Sequence, residues 1–484
     1  MRAALYSTVA ILLAFSPLQA KAAEISEAGA QQIKERLTYY LPQNIVDTGF
    51  LKVTPGTQRY ELSIDALPFL KDLKPQEFSI TGLKPFVQYL TPQDDGTWKI
   101  EANDNINLSG FFTAEGKKSN FTYMIEKFAY DGIFDPALTF TRTANVNVEK
   151  MKMSTEGGPA RLDFGIDSYT SDMRAENIDG GVADVVSNMS GRGFTETIND
   201  PTTGMVTISA ASMDGRWQAD KLGITAIRDL VVFGLDKVKS GDKTLKPEED
   251  AKLKALIKAN VPFVENLIED IHFRDVKIAA QGMEISLADI GYKIDFNGIK
   301  PDTRAGFEIS IMDPKIPAGL LPPGMDAALP KSASMGVAIT GLNVEGVVSY
   351  MLEHADFTKS EPLTPQQSDE IGKIILPDGK MHIRFTNVAA KSDVYDLSLS
   401  GTMMVNPDNS DKPEADITIT ARDIDKTANF LQDNSKTVPE FGQAAFMVLM
   451  MKGFGKQEAD GSMTWNVKVD QTGKVLINGR EMPR

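Results

Sequence analysis

Apolar and polar residues alternate along most of the chain, with the period of a β-strand that has one packed face and one wet face. Gly, Asn, Asp or Pro bound each alternating segment, as expected for strands joined by turns. The sequence therefore predicts an α+β fold that is mostly β, with long antiparallel twisted sheets and a few amphipathic helices packed on them. The clearest segments cover residues 60–66, 98–112, 162–166, 285–287, 294–296, 307–311, 397–399 and 417–419.

In the stretch FTRTANVNVEKMKMST, residues 140–155, the apolar residues occupy even-numbered positions up to Val148. Met151 and Met153, which follow, occupy odd-numbered positions. Because the side-chain period of a strand is two, this change moves the apolar set to the other face unless an extra residue is absorbed. A bulge near Glu149 and Lys150 is the favoured explanation. A strand that crosses from one packed layer to another is the alternative.

Three amphipathic helices are predicted between the strands. The first covers roughly residues 26–40, and the second covers 248–270, where apolar residues recur at spacings of three and four. Pro262 should bend or divide the second helix. The third begins with a capping box formed by Thr364 and Gln367 and stops before a proline.

A further helix, within residues 438–455, is apolar nearly all round and is too short to span a bilayer. A helix of this kind is usually buried between layers. The sharper interpretation is a helix that lines an apolar groove, where flexible methionines adapt to varied chains. The candidate apolar ligand surface comprises Phe441, Phe446, Met447 and Met450.

The N-terminus has the pattern of a secretory signal peptide. Arg2 is followed by a short apolar run and by the sequence Ala20–Lys21–Ala22, which predicts cleavage after residue 22. The rival interpretation, an uncleaved anchor, requires about 20 apolar residues. We therefore expect a periplasmic protein without a transmembrane segment after cleavage.

Two β-rich domains are predicted after the signal peptide (residues 1–22). The charged stretch LDKVKSGDKTLKPEED suggests an N-terminal β-rich domain at 23–240 and a C-terminal β-rich domain with helices at 241–484. Each half begins with a helix followed by strands, and an internal duplication is one interpretation of this plan. Five prolines exclude any regular element from residues 312–334, whose apolar residues predict that the segment lies against the sheet.

Composition narrows the possible partners. The 484 residues include no cysteine, so neither a disulfide nor a cysteine metal ligand is possible. The formal net charge is −15, and the basic residues alternate with acids instead of clustering. This pattern disfavours nucleic acid as a partner.

No motif in the chain carries chemistry with any specificity. The three histidines, His272, His354 and His382, lack the spacing of a zinc site. Residues 406–416 hold several oxygen ligands that could bind calcium, but a solvated turn is the favoured interpretation. A lone S-x-x-K pattern begins at Ser240, and the chain has no nucleophile elbow and no P-loop. We predict no catalytic residue, no cofactor and no metal.

The C-terminus predicts a hairpin in which Trp465, Val467 and Val469 pair with Val475 and Ile477 across a turn. With the exported N-terminus and the long alternating strands, this ending resembles the uncharacterised β-rich periplasmic proteins of Gram-negative bacteria and, distantly, the AsmA-like superfamily. The resemblance implies elongated twisted sheets with an apolar concave face, envelope maintenance and phospholipid handling. It supplies no catalytic residues. The chain departs from AsmA-like members because it lacks a retained membrane helix.

The sequence therefore favours a non-enzymatic periplasmic protein that binds lipid, another apolar ligand or an envelope protein along a curved sheet. One alternative is a carboxylate-dependent hydrolase of an envelope polymer. Another is a purely structural assembly module that presents sheet edges to a partner. Apolar residues on both faces of one sheet would favour the groove, and a clean polar face would favour assembly.

Overall fold

The computed structural model describes residues 25–38, 46–71, 74–114, 116–158, 160–202, 204–240, 244–317, 319–410 and 412–481. The protein is mostly β and antiparallel, as predicted. The helices within these ranges are Glu27–Thr38 (α1), Ile224–Ser240 (α2), Pro247–Asn260 (α3), Val344–His354 (α4), Pro365–Ile375 (α5), Ile424–Asp433 (α6) and Glu440–Phe454 (α7).

The strands fall into a first series, up to residue 223, and a second series. The first is Leu51–Pro55 (β1), Tyr60–Ile64 (β2), Phe78–Thr81 (β3), Phe86–Pro92 (β4), Trp98–Ala114 (β5), Lys117–Asp135 (β6), Phe140–Glu156 (β7), Arg161–Asp179 (β8), Val182–Asp200 (β9) and Gly204–Gly223 (β10). The second is Asn266–Ala280 (β11), Met283–Phe296 (β12), Thr303–Met312 (β13), Ser332–Leu342 (β14), Met381–Lys391 (β15), Asp396–Val405 (β16), Glu414–Arg422 (β17), Lys456–Gln457 (β18), Met463–Val469 (β19), Val475–Ile477 (β20) and Arg480–Glu481 (β21).

Contacts within the chain define two compact units. Unit 1 comprises the described residues within 1–203, 218–265 and 356–362. Unit 2 comprises those within 204–217, 266–355 and 363–484. Each unit is therefore built from several separate segments of the chain. The domain boundary predicted after residue 240 stays a prediction.

Unit 1 contains an antiparallel meander. The strands pair in the order β1–β2–β4–β5–β6–β7–β8–β9, and β3 pairs with the C-terminal half of β5 beside β4. Helix α1 packs at the β1–β2–β4 end, where Ala30, Ile33 and Leu37 contact a core that includes Tyr60 and Leu90. The first predicted helix is therefore confirmed over the described residues.

The irregularity predicted in β7 is present, but it inserts no residue. Lys150 has a φ of 51°, in the left-handed region. Val148 lies opposite Phe128 before this point and Met151 lies opposite Ile125 after it, so the register of β7 against β6 does not change across Glu149 and Lys150. The pairing of β7 with β8 also keeps one register. A left-handed residue, and not the predicted bulge in β7, therefore marks the phase change.

A bulge does occur in the neighbouring strand, β6. Asp104 of β5 lies opposite Phe128, whereas Ile106 lies opposite Ile125, so two residues of β6 face one residue of β5. The apolar positions of β6 change phase at this point, while those of β5 do not. The extra residue therefore keeps apolar residues paired with apolar residues along most of both strands.

Unit 2 contains a second antiparallel meander. Its strands pair in the order β11–β12–β13–β14–β15–β16–β17–β19–β20–β21, and β18 pairs with the start of β19. The predicted C-terminal hairpin is confirmed, with Val467 opposite Ile477 and Val469 opposite Val475. The capping box at Thr364 and Gln367 is also present and begins α5.

The helix predicted over residues 248–270 is half wrong. Helix α3 ends at Asn260, and the chain enters β11 at Asn266. Pro262 lacks an N–H donor and ends the helix instead of bending it. The apolar residues after Pro262 alternate along β11. Some of them are also three or four residues apart, which is why the sequence pattern suggested a helix. Helices α2, α4 and α6 were not predicted.

The proline-rich segment lies against the sheet of unit 2, as predicted. Lys315 forms an isolated bridge with Ser286, with N–O distances of 3.0 and 2.7 Å. The Tyr395 hydroxyl donates to the Ala328 carbonyl at 3.0 Å, and Met325 is buried. The 3₁₀ turn Met325–Ala328 and the start of β14 at Ser332 correct the prediction that residues 312–334 contain no regular element.

The predicted signal peptide, residues 1–22, lies outside the described residues. Within the described residues, none of the helices combines the length and the apolar character needed to cross a bilayer.

Candidate functional site

The sheet of unit 2 carries a continuous apolar row across strands β12 to β16. Ile294 lies directly opposite Phe307, and Ile309 lies directly opposite Met335. Directly opposed residues of an antiparallel pair project from the same face, as do residues two apart on one strand. Phe307 and Ile309 therefore join the two pairs into one patch. Leu397 belongs to the same face, since Met335 faces Val388 and Val388 faces Leu399.

This patch, which we call the open apolar face, is not covered by other described residues. The exposed fractions are 37% for Ile294, 47% for Phe307, 40% for Ile309, 57% for Met335 and 41% for Leu397. Single exposed apolar residues are normal on protein surfaces, but contiguous patches mark interaction sites. The alternation in the sequence predicts that Ile294, Phe307, Ile309 and Leu397 are packed, and for these four residues that prediction is wrong.

The opposite face of the same strands is polar. Ser334 Oγ donates to Asn387 Oδ1 at 3.0 Å, and the Asn387 amide donates to the Glu308 carboxylate. Further along the sheet, Thr418 Oγ1 donates to Asn466 Oδ1 at 2.8 Å. Most side chains on this second face are polar, and by the criterion stated for the sequence this pattern favours an assembly module over a groove between two layers. The open apolar face on the other side of the strands is the feature that favours an apolar ligand.

A bulge in β15 keeps the open apolar face continuous. Val337 lies opposite Phe385 and Met335 lies opposite Val388, so β15 contains one residue more than β14 between these pairs. The register against β16 shifts at the same place. The extra residue lets Phe385 and Val388 occupy the same face although they are three apart.

Helix α7 covers the far end of the sheet of unit 2. Met451 and Phe454 pack against a small core that includes Trp465 and Met463. Trp465 Nε1 donates to the Met451 carbonyl at 2.7 Å, which ties the helix to β19. The covered part of the apolar face therefore lies over β17, β19 and β20.

The candidate ligand surface predicted on α7 is divided between two sides of the helix. The Phe441 ring lies 6.3 Å from the Phe430 ring of α6, on the inner side. Phe446, Met447 and Met450 are exposed, and Phe446 is 68% exposed. In α7 only Ala445 is buried, so the expectation that the helix is buried between layers is wrong.

A cleft of about 430 Å³, lined by both charged and apolar residues, lies beside the end of β13. Its walls come from β11, β12 and the proline-rich segment. Of its charged residues, Lys331 pairs with Asp393 at 2.7 Å and Lys277 pairs with Glu284 at 3.6 Å. The cleft is lined by Asp275, Lys277, Ser286, Leu287, Ala288, Asp313, Pro314, Lys315, Asp326, Leu329, Pro330, Lys331 and Asp393.

The histidines take part in local pairs. His272 lies between two carboxylates, with Nδ1 2.9 Å from Asp289 and Nε2 3.2 Å from Asp270. His382 Nε2 lies 2.7 Å from Asp378. In the part of the chain that the structure describes, no three His, Asp or Glu side chains are placed to share a metal ion.

Comparisons with known proteins identify no relative. No protein-family model matches the chain, and no curated protein or solved structure matches it at a significant level.

Proposed function

We propose that this is a non-enzymatic periplasmic protein that binds a lipid acyl chain, or another apolar chain, along the open apolar face. The observation that carries the proposal is the continuous row from Ile294 to Leu397, in which five large apolar side chains remain about half exposed. Such a row is unfavourable in water, and a bound acyl chain would cover it.

Covering on the order of 200 Å² of apolar protein surface yields about 5 kcal/mol, which is comparable to the lower end of the cost of association. A stable complex therefore also requires the apolar surface that the bound chain itself removes from water. Strands of L-residues twist, and a twisted sheet of this width would form a shallow trough along the row. Such a trough would match the concave apolar face that the AsmA-like resemblance implies, and we extend the proposal to envelope maintenance on that basis.

Protein purified from periplasm without detergent tests the proposal. Native mass spectrometry with solvent extraction should detect a near-stoichiometric acyl lipid. Leu397→Asp places a charge in the row and should reduce the bound lipid severalfold. The matched control is Ser398→Asp, because Ser398 is also exposed and points to the polar face. A lipid-free wild-type protein, or equal losses in the two variants, would contradict the proposal.

An envelope protein is the second candidate partner, and a different observation favours it. The outer side of α7 presents Phe446, Met447, Leu449 and Met450, all exposed. A helix face of this kind can bind in a groove of another protein. Crosslinking in the envelope from a photoreactive residue at position 446 tests this candidate, with position 443 on the polar part of α7 as the control.

A further inference from the structure

Unit 2 exposes two apolar surfaces that other described residues leave uncovered. One is the open apolar face. The other is the outer side of α7, within residues 442–453, where a Cβ placed at Gly453 would meet no described atom within 4 Å. The large side chains on this outer side are Phe446, Met447, Leu449 and Met450, which are 68%, 48%, 49% and 43% exposed.

The outer side of α7 has the chemistry of a protein contact. From Phe441 to Met451 the helix contains no charged residue. A helix that lies on an anionic membrane surface instead carries Lys and Arg along its polar face. The five residues of the open apolar face are uncharged as well, so the two surfaces match each other in character.

Helix α7 is fixed with its outer side turned away from its own sheet. Its inner side packs Met451 and Phe454 against Trp465, and Lys452 pairs with Asp425 of α6 at 2.5 Å. These contacts separate the outer side of α7 from the open apolar face of the same copy, which lies over β12 to β16. A second copy of the chain brings the two surfaces together and leaves all of these contacts in place.

The dimensions of the two surfaces agree. Residues 442–453 extend about 17 Å along the helix axis, at 1.5 Å per residue. The open apolar face crosses five strands, which is about 19 Å at 4.8 Å between neighbouring strands. Moreover, the covered end of the same apolar face already packs against a helix, through Met451 and Phe454.

The area is sufficient for a stable dimer. The exposed fractions correspond to roughly 400 Å² of apolar side chain on each of the two surfaces. In a twofold pair, α7 of each copy covers the open apolar face of the other copy. The two contacts together remove roughly 1,600 Å² from water, which is the size of a standard interface, whereas a contact between two α7 helices alone would remove about half of that.

We propose that, in the lipid-free protein, the open apolar face is covered by the outer side of α7 of a second copy, in a reciprocal twofold dimer. This inference names a second copy, in place of an unrelated envelope protein, as the partner of α7. It rests on the proposed function, because an acyl chain and α7 of the second copy cover the same row. Lipid binding and dimer formation therefore exclude each other, and bound lipid converts the dimer into monomers.

Analytical ultracentrifugation of the mature protein, after removal of its lipid, tests the dimer. We expect a reversible dimer at about 100 µM protein, and monomers after addition of oleate as a single acyl chain. A lipid-free protein that stays monomeric, or a dimer that binds oleate without dissociating, would overturn the inference and leave the proposed function intact. Absence of oleate binding would overturn the proposed function and with it the exchange between lipid and α7.

Two substitutions distinguish the reciprocal dimer from a pairing of two α7 helices. Phe446→Lys alters α7 and Phe307→Asp alters the open apolar face, and each alone should abolish the dimer because each disrupts both contacts. An equimolar mixture should dimerise more tightly than either variant, since one contact is then unaltered and the other joins opposite charges. The controls Ser398→Asp, on the polar face, and Gln366→Lys, exposed on α5, should keep the dimer. A dimer that survives Phe307→Asp would overturn the inference.

Disulfide trapping locates the contact without disrupting it. Because the chain contains no cysteine, every disulfide must join introduced cysteines. Phe446→Cys copies mixed with Met335→Cys copies should form a mixed disulfide dimer under mild oxidation, and Phe446→Cys copies mixed with Ser398→Cys copies should not. Disulfides that form only between two Phe446→Cys copies would assign the dimer to an α7–α7 contact and would overturn the inference.

Discussion

Trp465 donates a hydrogen bond from its indole Nε1 to the Met451 carbonyl at 2.7 Å, and this contact joins β19 to the C-terminal helix α7. The indole is 4% exposed, so both its apolar surface and its hydrogen bond contribute to the fold. Trp465→Phe should lower the free energy of unfolding by about 1–2 kcal/mol, and Trp465→Ala by about 3–5 kcal/mol. Urea unfolding followed by circular dichroism measures both values.

Phe446→Ala is the control for this prediction. Phe446 lies on the same helix but is 68% exposed, so its loss should change the free energy of unfolding by no more than about 0.5 kcal/mol. Equal losses in the free energy of unfolding for the Trp465 and Phe446 variants would contradict the prediction that the contact between α7 and Trp465 stabilises the fold.

Gly29 of α1 lies too close to the Tyr60 hydroxyl to accept a side chain, since a Cβ at residue 29 would overlap the Tyr60 Oη. Gly29→Ala should therefore destabilise the protein by about 1–3 kcal/mol, although alanine is the better helix former. In the Tyr60→Phe background the closest atom is absent and only the ring Cζ remains close, at 3.1 Å, so the same substitution should cost clearly less. A double-mutant cycle on urea-unfolding free energies measures this coupling, and additive effects would contradict it.

Lys150 of β7 has a left-handed backbone conformation, and it lies at the point where the apolar residues change from one side of the alternation to the other. A β-branched residue enters that region poorly, so Lys150→Val should lower the free energy of unfolding by about 1–3 kcal/mol. Lys152→Val, two residues further along the same strand and also exposed, should be nearly neutral. Lys150→Gly should be tolerated, since glycine adopts a positive φ without steric cost. Similar losses in both valine variants would exclude a conformational cause.

Asp460 contributes stability that depends on pH. Hydrogen bonds from the Ser462 hydroxyl and N–H, together with the Arg422 guanidinium, lower the pKa of its carboxyl group from 3.8 to about 2. Because the pKa in the folded state is depressed, this contribution is fully present above about pH 4 and is lost as the pH falls towards 2. Wild type and Asp460→Asn should therefore differ in urea midpoint at pH 7 and converge near pH 2.

The Ser462→Ala variant checks the cause of that shift. It removes the first hydrogen bond to Asp460, so the carboxyl pKa measured by NMR titration should rise towards its usual value. An unchanged pKa would assign the shift to the remaining partners.

Sequence patterns predicted helices and strands well where the spacing of the residues fits only one type of secondary structure. The capping box of α5 and the hairpin from Trp465 to Ile477 depend on neighbours within a few residues, and both are present. The helix predicted after Pro262 is wrong because the spacing of the apolar residues there suits a helix as well as a strand. Pairing with β12 decides in favour of the strand.

The ligand surface expected on α7 stays a prediction. Phe441 and Phe446 share one apolar helix in the sequence, yet Phe441 faces α6 and Phe446 faces solvent. Phe307 and Met335, on which the proposed function rests, could not be singled out, because a strand with alternating apolar residues looks the same whether or not another element covers its apolar side. The one-residue phase change in β15 was a usable signal for the bulge.

The amino-acid sequence by itself determined the β period, the turns, the C-terminal hairpin and the absence of disulfides, because these depend on side-chain alternation, backbone preferences and composition. Only the tertiary structure decided which apolar faces remain open, where Lys150 turns left-handed, and which charges meet around the cleft. Coverage of a face depends on elements that are distant in sequence. Trp465 is buried because α7 reaches it, and Phe307 is exposed because none of the described elements does.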